Sequence, residues 1–336
     1  MSEREIVVLS PSMSASVNTC TTQAMVRTLG LGIGAEDSRQ QIAGRGFHKA
    51  HELWMKGRGP DEAIAAFHEL YDSYSDRNIA IDDAYDKRNL ANILGVYFRR
   101  NPLTAQSWET VQAEEQLEIW CPTDPSNEFG FLFTDIHDGI TKDKTSGLLW
   151  SRELKTTSSW NLQEYVREYF LKGQILSHVW TARKAGIPVV GVQLSVIRIN
   201  KLPELGRLTK AGKPYQCKTH HCACEDCWQA HVEFGVWDFQ PSEYQLNTWE
   251  RDSSDTGWKY FNNIYNFLMQ ENGTIDPNAD LTDLPKQGIL NGSCGRCDLS
   301  PFCQSPSMDK LTRRNRDPKI RASGLEVIKD DAGRVE

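Results

Sequence analysis

The sequence of 336 residues lacks several features that would assign it to a class at once. It has no run of about 18 apolar residues, so we expect no membrane span. Its N-terminal segment has no basic stretch followed by an apolar core, which argues against a secretory signal and predicts a cytoplasmic protein. It has no internal repeat and no excess of basic residues. The formal net charge of −7 argues against a general nucleic-acid coat, but not against an enzyme with a local basic channel.

Cysteine, in contrast, is abundant: the chain has nine. Disulfides are not expected in a reducing compartment, so clustered cysteines favour metal ligation. Three of them form a C-x2-C-x5-C motif at Cys294, Cys297 and Cys303. A tetrahedral metal site or a cubane iron–sulfur cluster takes four thiolates, so this motif predicts a fourth ligand elsewhere in the chain.

A second cluster places four cysteines and two histidines close together in sequence, at Cys217, His220, His221, Cys222, Cys224 and Cys227. Thiolates and imidazoles at this density predict a Zn²⁺ site, and the alternative is a loop of free thiols beside an inserted hairpin. Cys121 stands alone, and we interpret it as an ordinary core or surface residue.

The hydrophobic periodicity changes along the chain. After a short strand within residues 1–8, helical spacing predicts helices from about residue 11 and over 41–58, 61–75, 81–99 and 104–117. Alternation of Phe129, Phe131 and Phe133 then indicates a strand. The elements that follow are predicted as a strand at 148–154, a helix at 163–185, a strand at 187–199 and a helix at 241–270. This order predicts an α/β core behind a helical N-terminal region.

An acidic residue and a lysine share one face of the second predicted strand. Glu153 and Lys155 are two residues apart and project together, while Leu154 points into the core. Carboxylates suit Mg²⁺ or Mn²⁺, and the lysine can orient an attacking water or neutralise phosphate charge. Asp135 and Asp138 lie on opposite faces of the preceding strand, so at most one joins Glu153 unless that strand bulges. We choose Asp138 and keep Asp135 as the alternative. Taken alone, the pair also fits a solvated surface strand.

This succession of strand, aspartate, turn, E-x-K strand and helix with a glutamine resembles the PD-(D/E)xK nuclease superfamily. Residues 44–52, "GRGFHKAHE", resemble the G-x-x-x-H motif of its RecB-type members, with Gly44 and His48 in the motif positions. The resemblance implies that His48 is a metal ligand and that the backbone carbonyl of Leu154 is another. Gln174 matches the glutamine of a Q-x-x-x-Y motif and would help to hold the lysine or the DNA backbone. His178 replaces the tyrosine, and we expect it to donate a hydrogen bond to a DNA phosphate.

Several neighbouring residues have open roles. His51 and Glu52 follow the motif histidine by three and four residues, and either could orient the site or face solvent. The aromatic residues Trp150, Trp160 and Tyr169 could stack unpaired bases, although such residues more often belong to a core.

One RecB-type branch carries a [4Fe–4S] cluster. It includes the nuclease subunits of AddAB-type helicase–nucleases, exonuclease V and a CRISPR-associated exonuclease. Its ligands are one early cysteine and a late C-x2-C-x5-C trio, so the resemblance assigns the cluster to Cys20, Cys294, Cys297 and Cys303. Such a cluster would join the two ends of the chain as a structural staple, and zinc in the same four cysteines is the alternative.

The resemblance implies a restriction-endonuclease-like mixed central sheet flanked by helices, with a C-terminal iron–sulfur segment. It implies a DNA exonuclease that acts on single strands or ends, in which His48, Asp138 and Glu153 hold Mg²⁺ or Mn²⁺ and Lys155 positions the attacking water. A helicase or recombination partner is expected, and no membrane. One rival is a catalytically inactive DNA- or helicase-binding iron–sulfur module, and another is a purely structural zinc protein.

We divide the chain into five regions. They are an N-terminal helical region at 1–125, the nuclease core at 126–200, the cysteine-rich insertion at 201–235, C-terminal helices with the cluster segment at 236–305, and a polar tail at 306–336.

Overall fold

The computed structural model describes residues 5–28, 31–33, 39–74, 84–122, 130–202, 231–260, 262, 311–313 and 324–327. Within them, helices cover both faces of a mixed central sheet, which confirms the α/β class and the flanking helices. Seven of the nine cysteines lie outside the described residues, so the predicted cysteine clusters stay predictions. No helix in the described part of the chain is both long and apolar enough to cross a bilayer.

Eight α-helices are described: α1 (Pro11–Thr19), α2 (Thr21–Thr28), α3 (Arg39–Met55), α4 (Pro60–Asp72), α5 (Lys87–Arg100), α6 (Leu162–Phe170), α7 (Gly173–Lys184) and α8 (Glu243–Tyr260). The described strands are β1 (Glu5–Leu9), β2 (Leu31–Ile33), β3 (Trp108–Pro122), β4 (Gly130–Asp143), β5 (Leu149–Thr157), β6 (Val189–Arg198), β7 (Phe234–Phe239), β8 (Leu311–Arg313) and β9 (Gly324–Val327).

Strand β4 is shared by the two halves of the sheet. The strand order is β7-β6-β5-β4-β1-β9, and β3 pairs with the other edge of β4 along its length. On the edge opposite β3, β1 runs parallel to residues 131–133 and β5 runs antiparallel to residues 139–142. Residues 134–138 pair with neither β1 nor β5, and we call this segment the β4 gap. Strands β2 and β8 form a separate two-stranded sheet.

Two cores pack on opposite faces of the sheet. The first lies under α1, α2, α7 and α8 and includes Phe133, Val179 and Leu194. The second lies under α3, α4 and α5 and includes Phe47 and Leu154. Strand β6 contributes to both cores, which explains its nearly continuous apolar sequence.

Local chemistry explains the placement of α3 and α5. The N-cap of α5 is Asp86, whose carboxylate accepts a hydrogen bond from Asn89 N–H at 3.2 Å. In α3, Gly46 lies so close to α4 that a Cβ there would be 2.7 Å from the ring of Phe67. Any larger residue at this position would push α3 away from α4, and α3 is the helix that carries His48.

Two predicted helices differ from the observed elements. Residues 104–117 were expected to be helical, but Leu103–Ala105 form a short 3-10 turn and β3 follows from Trp108. The alanine, glutamine and glutamate residues there favour helix, and pairing with β4 outweighs that preference. The predicted helix at 163–185 is broken between α6 and α7, where Gly173 packs against Trp249. The other predicted elements agree within a few residues, where they are described.

Candidate active site

His48 and Asp138 form the first pair of the candidate site. His48 Nδ1 lies 2.7 Å from Asp138 Oδ1, and Asp138 Oδ2 accepts a hydrogen bond from the backbone N–H of Leu154 at 2.6 Å. Asp138 therefore connects α3 with β5. Loss of solvent alone would lower the pKa of His48, but the charge of Asp138 and its hydrogen bond outweigh this effect, and the pKa is raised.

Glu153 is the most heavily contacted carboxylate in the site. Its side chain is 2% exposed. Its Oε1 atom contacts the ammonium of Lys155 and lies 3.1 Å from both Tyr169 Oη and Gln174 Nε2. Its Oε2 atom lies 3.1 Å from His178 Nε2. Burial would raise the pKa of Glu153, but the charges of Lys155 and His178 hold it well below the usual range, so the carboxylate is ionised at neutral pH.

Lys155 connects the two carboxylates electrostatically. Burial would lower its pKa, whereas the charges of Glu153 and Asp138 raise it, and the net pKa is raised. The ammonium is therefore protonated at neutral pH. Its side chain is 22% exposed, compared with 2% for Glu153, so a substrate can approach the lysine more readily than the glutamate.

The structure thus brings five predicted site residues into one place: His48, Asp138, Glu153, Lys155 and Gln174. Glu153 and Lys155 share one face of β5, and the side chain of Leu154 is fully buried on the other face, as predicted. Gln174 contacts the glutamate, whereas we expected it to hold the lysine or the DNA backbone.

Asp135 and Asp138 point to opposite sides of β4, as their spacing predicts. Asp138 contacts α3, whereas Asp135 contacts α7, where its Oδ2 lies 3.0 Å from His178 Nδ1 and 3.2 Å from Thr181 Oγ1. Asp135 is 2% exposed. Asp135 is therefore connected to Glu153 through the ring of His178, which contacts both carboxylates.

The expected contact of His178 with a DNA phosphate is wrong, because its side chain is fully buried. Its two ring nitrogens face the carboxylates of Asp135 and Glu153. Burial would lower the pKa of His178, but these two charges raise it to about 10. The sequence signal for this role was its position one helical turn after Gln174, on the same face of α7.

His137 and Tyr169 were not predicted as members of the network. His137 is fully buried; its Nδ1 lies 2.8 Å from Ser151 Oγ and its Nε2 lies 3.1 Å from Thr181 Oγ1. Burial and the charge of His178 lower the pKa of His137 to about 4, so it is neutral. Tyr169 is 3% exposed and contacts Glu153, so it belongs to the interior, as such residues more often do, and it does not stack with bases.

The other two proposed stacking residues differ in exposure. Trp150 is buried, with 8% of its surface exposed, so it cannot present a face to DNA. Trp160 is 87% exposed, and the guanidinium of Arg198 lies 4.0 Å from the centre of its ring. Of the three predicted stacking residues, Trp160 therefore remains available to a base.

His51 and Glu52 do not face solvent. His51 is 3% exposed beside the ring of Trp54, and burial lowers its pKa to about 4. Glu52 contacts the ammonium groups of Lys49 and Lys56. These residues support α3 around the position of His48 but make no direct contact with Glu153 or Asp138.

Glu114 of β3 is the second carboxylate beside Glu52. Its backbone φ is 49°, in the left-handed region that non-glycine residues rarely adopt. Burial and the proximity of Glu52 raise the pKa of Glu114 to about 7. The pKa of Glu52 falls to about 2, because its hydrogen bonds with Glu114, Lys49 and Lys56 outweigh the opposing effect of burial. The two carboxylates therefore share a proton near neutral pH.

Two groups of side chains in the described residues have the composition of a metal site. The first is His48, Asp138 and Glu153, whose carboxylates and imidazole suit a hard divalent cation such as Mg²⁺ or Mn²⁺, although their ligand atoms do not all lie within 4.8 Å of one another. The second is Asp135, His137 and His178, whose ligand atoms lie within 4.8 Å of one another. In this second group each ring nitrogen of the two histidines already lies within 3.1 Å of a polar side-chain atom of Ser151, Thr181, Asp135 or Glu153. We therefore interpret it as a hydrogen-bonded network.

A cavity of about 750 Å³ opens beside the site. Its walls come from α1, from the β4 gap, from the start of α7 and from α8, and they include Asp135, Lys172, Gln174 and Trp249. This volume is within the range of small-ligand pockets. No protein-family model matches the chain, and no curated protein matches it.

Proposed function

We propose that the protein is a metal-dependent deoxyribonuclease, and that it acts as an exonuclease on single-stranded DNA or DNA ends. The observation that carries this proposal is the meeting of His48, Asp138, Glu153 and Lys155 from α3, β4 and β5. Three potential metal ligands beside a protonated lysine provide what hydrolysis of a phosphodiester requires. The sequence resemblance to RecB-type nucleases supports the same reading.

His48, Asp138 and Glu153 would hold the ion, with the backbone carbonyl of Leu154 as a further ligand by resemblance. When bound, a divalent ion polarises the phosphate and lowers the pKa of a water molecule. The two oxygens of Glu153 are not equally available to it. Oε1 has three polar groups around it, one of which, the Tyr169 hydroxyl, is shared with Gln174 Oε1, whereas Oε2 has His178 alone, so we assign the ion to Oε2.

The chain's own residues supply orientation and charge. Lys155 is protonated and partly exposed, so its ammonium can orient the attacking water and stabilise negative charge on the phosphate. Gln174 and Tyr169 hold Oε1 of Glu153 and so fix the plane of the carboxylate.

The assignment of a [4Fe–4S] cluster remains part of the proposal. Cys20 directly follows α1, is 9% exposed, and donates its backbone N–H to Ser16 O at 2.8 Å. Its thiol is free in the described residues. A buried thiol held at a defined helix end suits a cluster ligand, and zinc is the alternative metal.

Cleavage of end-labelled DNA tests the function. Wild-type protein with Mn²⁺ should degrade linear single-stranded DNA and spare circular DNA. Asp138→Asn and Glu153→Gln should each lower the rate by about 10²–10³-fold, the usual loss when a major electrostatic group of a reaction centre is removed. Glu168→Gln on the exposed face of α6 is the matched control and should leave the rate unchanged.

Equal rates in wild type and Glu153→Gln would refute the enzyme assignment. DNA binding without cleavage by any of these proteins would favour the inactive binding module instead. Cleavage of circular DNA would contradict the need for an end while leaving the nuclease proposal in place.

A further inference from the structure

We infer that His178 is a positioning residue of this centre: it fixes the carboxylate of Glu153 by joining it to Asp135. The inference rests on the proposed function and extends it to a residue that touches neither the phosphate nor the attacking water. The side chain is fully buried, which separates this role from substrate binding.

Helix α7 holds both oxygens of Glu153. Gln174 donates to Oε1 at 3.1 Å, and His178, one turn later, places Nε2 3.1 Å from Oε2. The second contact is close in distance but lacks the angle of a straight hydrogen bond. The other ring nitrogen of His178 lies 3.0 Å from Asp135 Oδ2, within hydrogen-bond geometry. The ring is therefore anchored on Asp135 and presents its opposite edge to Glu153.

The anchor is itself held in place. Thr181 Oγ1 lies 3.2 Å from Asp135 Oδ2 and 2.8 Å from the carbonyl oxygen of Ser177, and its single proton can be donated to one of these two oxygens at a time. Asp135 thus contacts α7 at two positions three residues apart. This arrangement fixes α7 against β4 at the point where Glu153 emerges from β5.

The backbone pairing of β4 and β5 ends before the site, so side chains connect the two strands there. The ladder between β4 and β5 ends at the pair Gly139–Arg152, so Glu153 is the first residue of β5 beyond it. Across the β4 gap, no backbone hydrogen bonds join β4 to β5. Two side-chain links replace them: Asp138 to the Leu154 N–H, and Asp135 through His178 to Glu153. The spacing of the two strands at the site depends on these links.

Removal of His178 should therefore weaken metal binding without removing a ligand. Glu153 would keep its contacts at Oε1 but lose the group that orients Oε2, the oxygen to which we assign the ion. Groups that orient metal ligands commonly contribute about 10–100-fold to metal affinity. The expected change is in the Mn²⁺ concentration at half-saturation, with a smaller change in the rate at saturating Mn²⁺.

Two substitutions separate the two contacts of the ring. The amide of His178→Asn can replace Nδ1 and keep the contact with Asp135, whereas that of His178→Gln can replace Nε2 and keep the contact with Glu153. We expect His178→Asn to raise the Mn²⁺ half-saturation about 10–100-fold, and His178→Gln to raise it less. Glu168→Gln, on the exposed face of α6, is the control for Mn²⁺ binding. His137→Gln tests whether Asp135, His137 and His178 form a metal site, because His137 is equally buried and its Nε2 lies 4.0 Å from Asp135 Oδ2.

Mn²⁺ binding should be measured without DNA, from the electron paramagnetic resonance signal of free Mn²⁺, and then compared with the Mn²⁺ dependence of cleavage. Circular dichroism establishes that each variant is folded. If His178→Asn does not fold, His178→Gln and Asp135→Asn provide the same comparison. Unchanged Mn²⁺ affinity in the folded variants would overturn the positioning role.

The same data separate this inference from the function on which it rests. If wild type binds Mn²⁺ but cleaves no DNA, the nuclease proposal fails while the binding shift still tests His178. If wild type cleaves DNA and His178→Asn binds Mn²⁺ normally, the positioning role alone fails. If His137→Gln and His178→Asn each lose one tightly bound ion by elemental analysis, Asp135, His137 and His178 form a metal site, and that result also overturns the inference.

Discussion

Replacement of Glu153 by alanine should destabilise the fold more than replacement by glutamine, by up to about 1.5 kcal/mol. Glu153 is 2% exposed and is surrounded by donors alone: Lys155, Tyr169, Gln174 and His178. In Glu153→Ala, two cations lose a shared buried carboxylate. Breaking a buried ion pair in this way costs about 3–5 kcal/mol.

The structure places the expected value for Glu153→Ala at the lower end of that range, about 3 kcal/mol. Lys155 remains partly exposed and keeps the charge of Asp138 nearby, and His178 keeps Asp135 as its partner. In Glu153→Gln, the amide oxygen can take the place of Oε1, and the amide N–H₂ can donate to His178 Nε2 if the ring releases its proton. The remaining loss is that of a charged hydrogen bond to Lys155, about 1.5–3 kcal/mol at most.

Urea unfolding followed by both tryptophan fluorescence and circular dichroism provides the assay, since coincident transitions are required before free energies are compared. Glu168→Ala, on the exposed face of α6, should stay within about 0.5 kcal/mol of wild type. A Glu153→Ala protein as stable as wild type would show that no cation depends on this carboxylate, and would refute the electrostatic account of the site.

Two further predictions concern other parts of the molecule. The folded-state pKa of Glu114 is raised to about 7, above its ordinary 4.5, so its interaction with Glu52 should lose stability as pH rises from about 4.5 through 7. The free energy of unfolding of Glu114→Gln should therefore fall less than that of wild type between pH 5 and 8. The difference should be under about 1 kcal/mol, because the side chain of Glu114 is partly open to solvent. Identical pH profiles of the two proteins would contradict this prediction. Cys20→Ser should remove iron and the visible absorbance of the purified protein. Cys121→Ser should retain both, because burial raises the pKa of the Cys121 thiol to about 12 and so disfavours the thiolate that a metal requires. Zinc without iron in wild type would favour the alternative metal.

Local sequence patterns were sufficient for the parts of the site that lie on one element. The two-residue period placed Glu153 and Lys155 on one face of β5, and the three-residue spacing separated Asp135 from Asp138. The motif resemblance identified His48 and Gln174, which the structure brings to Asp138 and Glu153.

Contacts between distant residues were harder to predict. The helical preference of residues 104–117 hid β3, because its stabilising partner β4 is remote in sequence. The link from Asp135 through His178 to Glu153 joins three separate elements, and the four-residue spacing places His178 beside Gln174 on α7 without identifying the two carboxylates that it contacts. The roles of Tyr169 and His137 depend on the same tertiary packing.

Among the described strands, β4 is the strand to which both halves of the central sheet are paired. The second half of β4 pairs with β5, which β6 and β7 follow in the sheet, and its first half pairs with β1, which β9 follows. Strand β3 pairs with the opposite edge of β4 along both halves. A small shear of β1, which leads directly into α1 and Cys20, would change the separation of Asp135 from Glu153 before it disturbed any backbone ladder within either half. The position of the N-terminal segment and the separation of the two carboxylates are thereby coupled through β4.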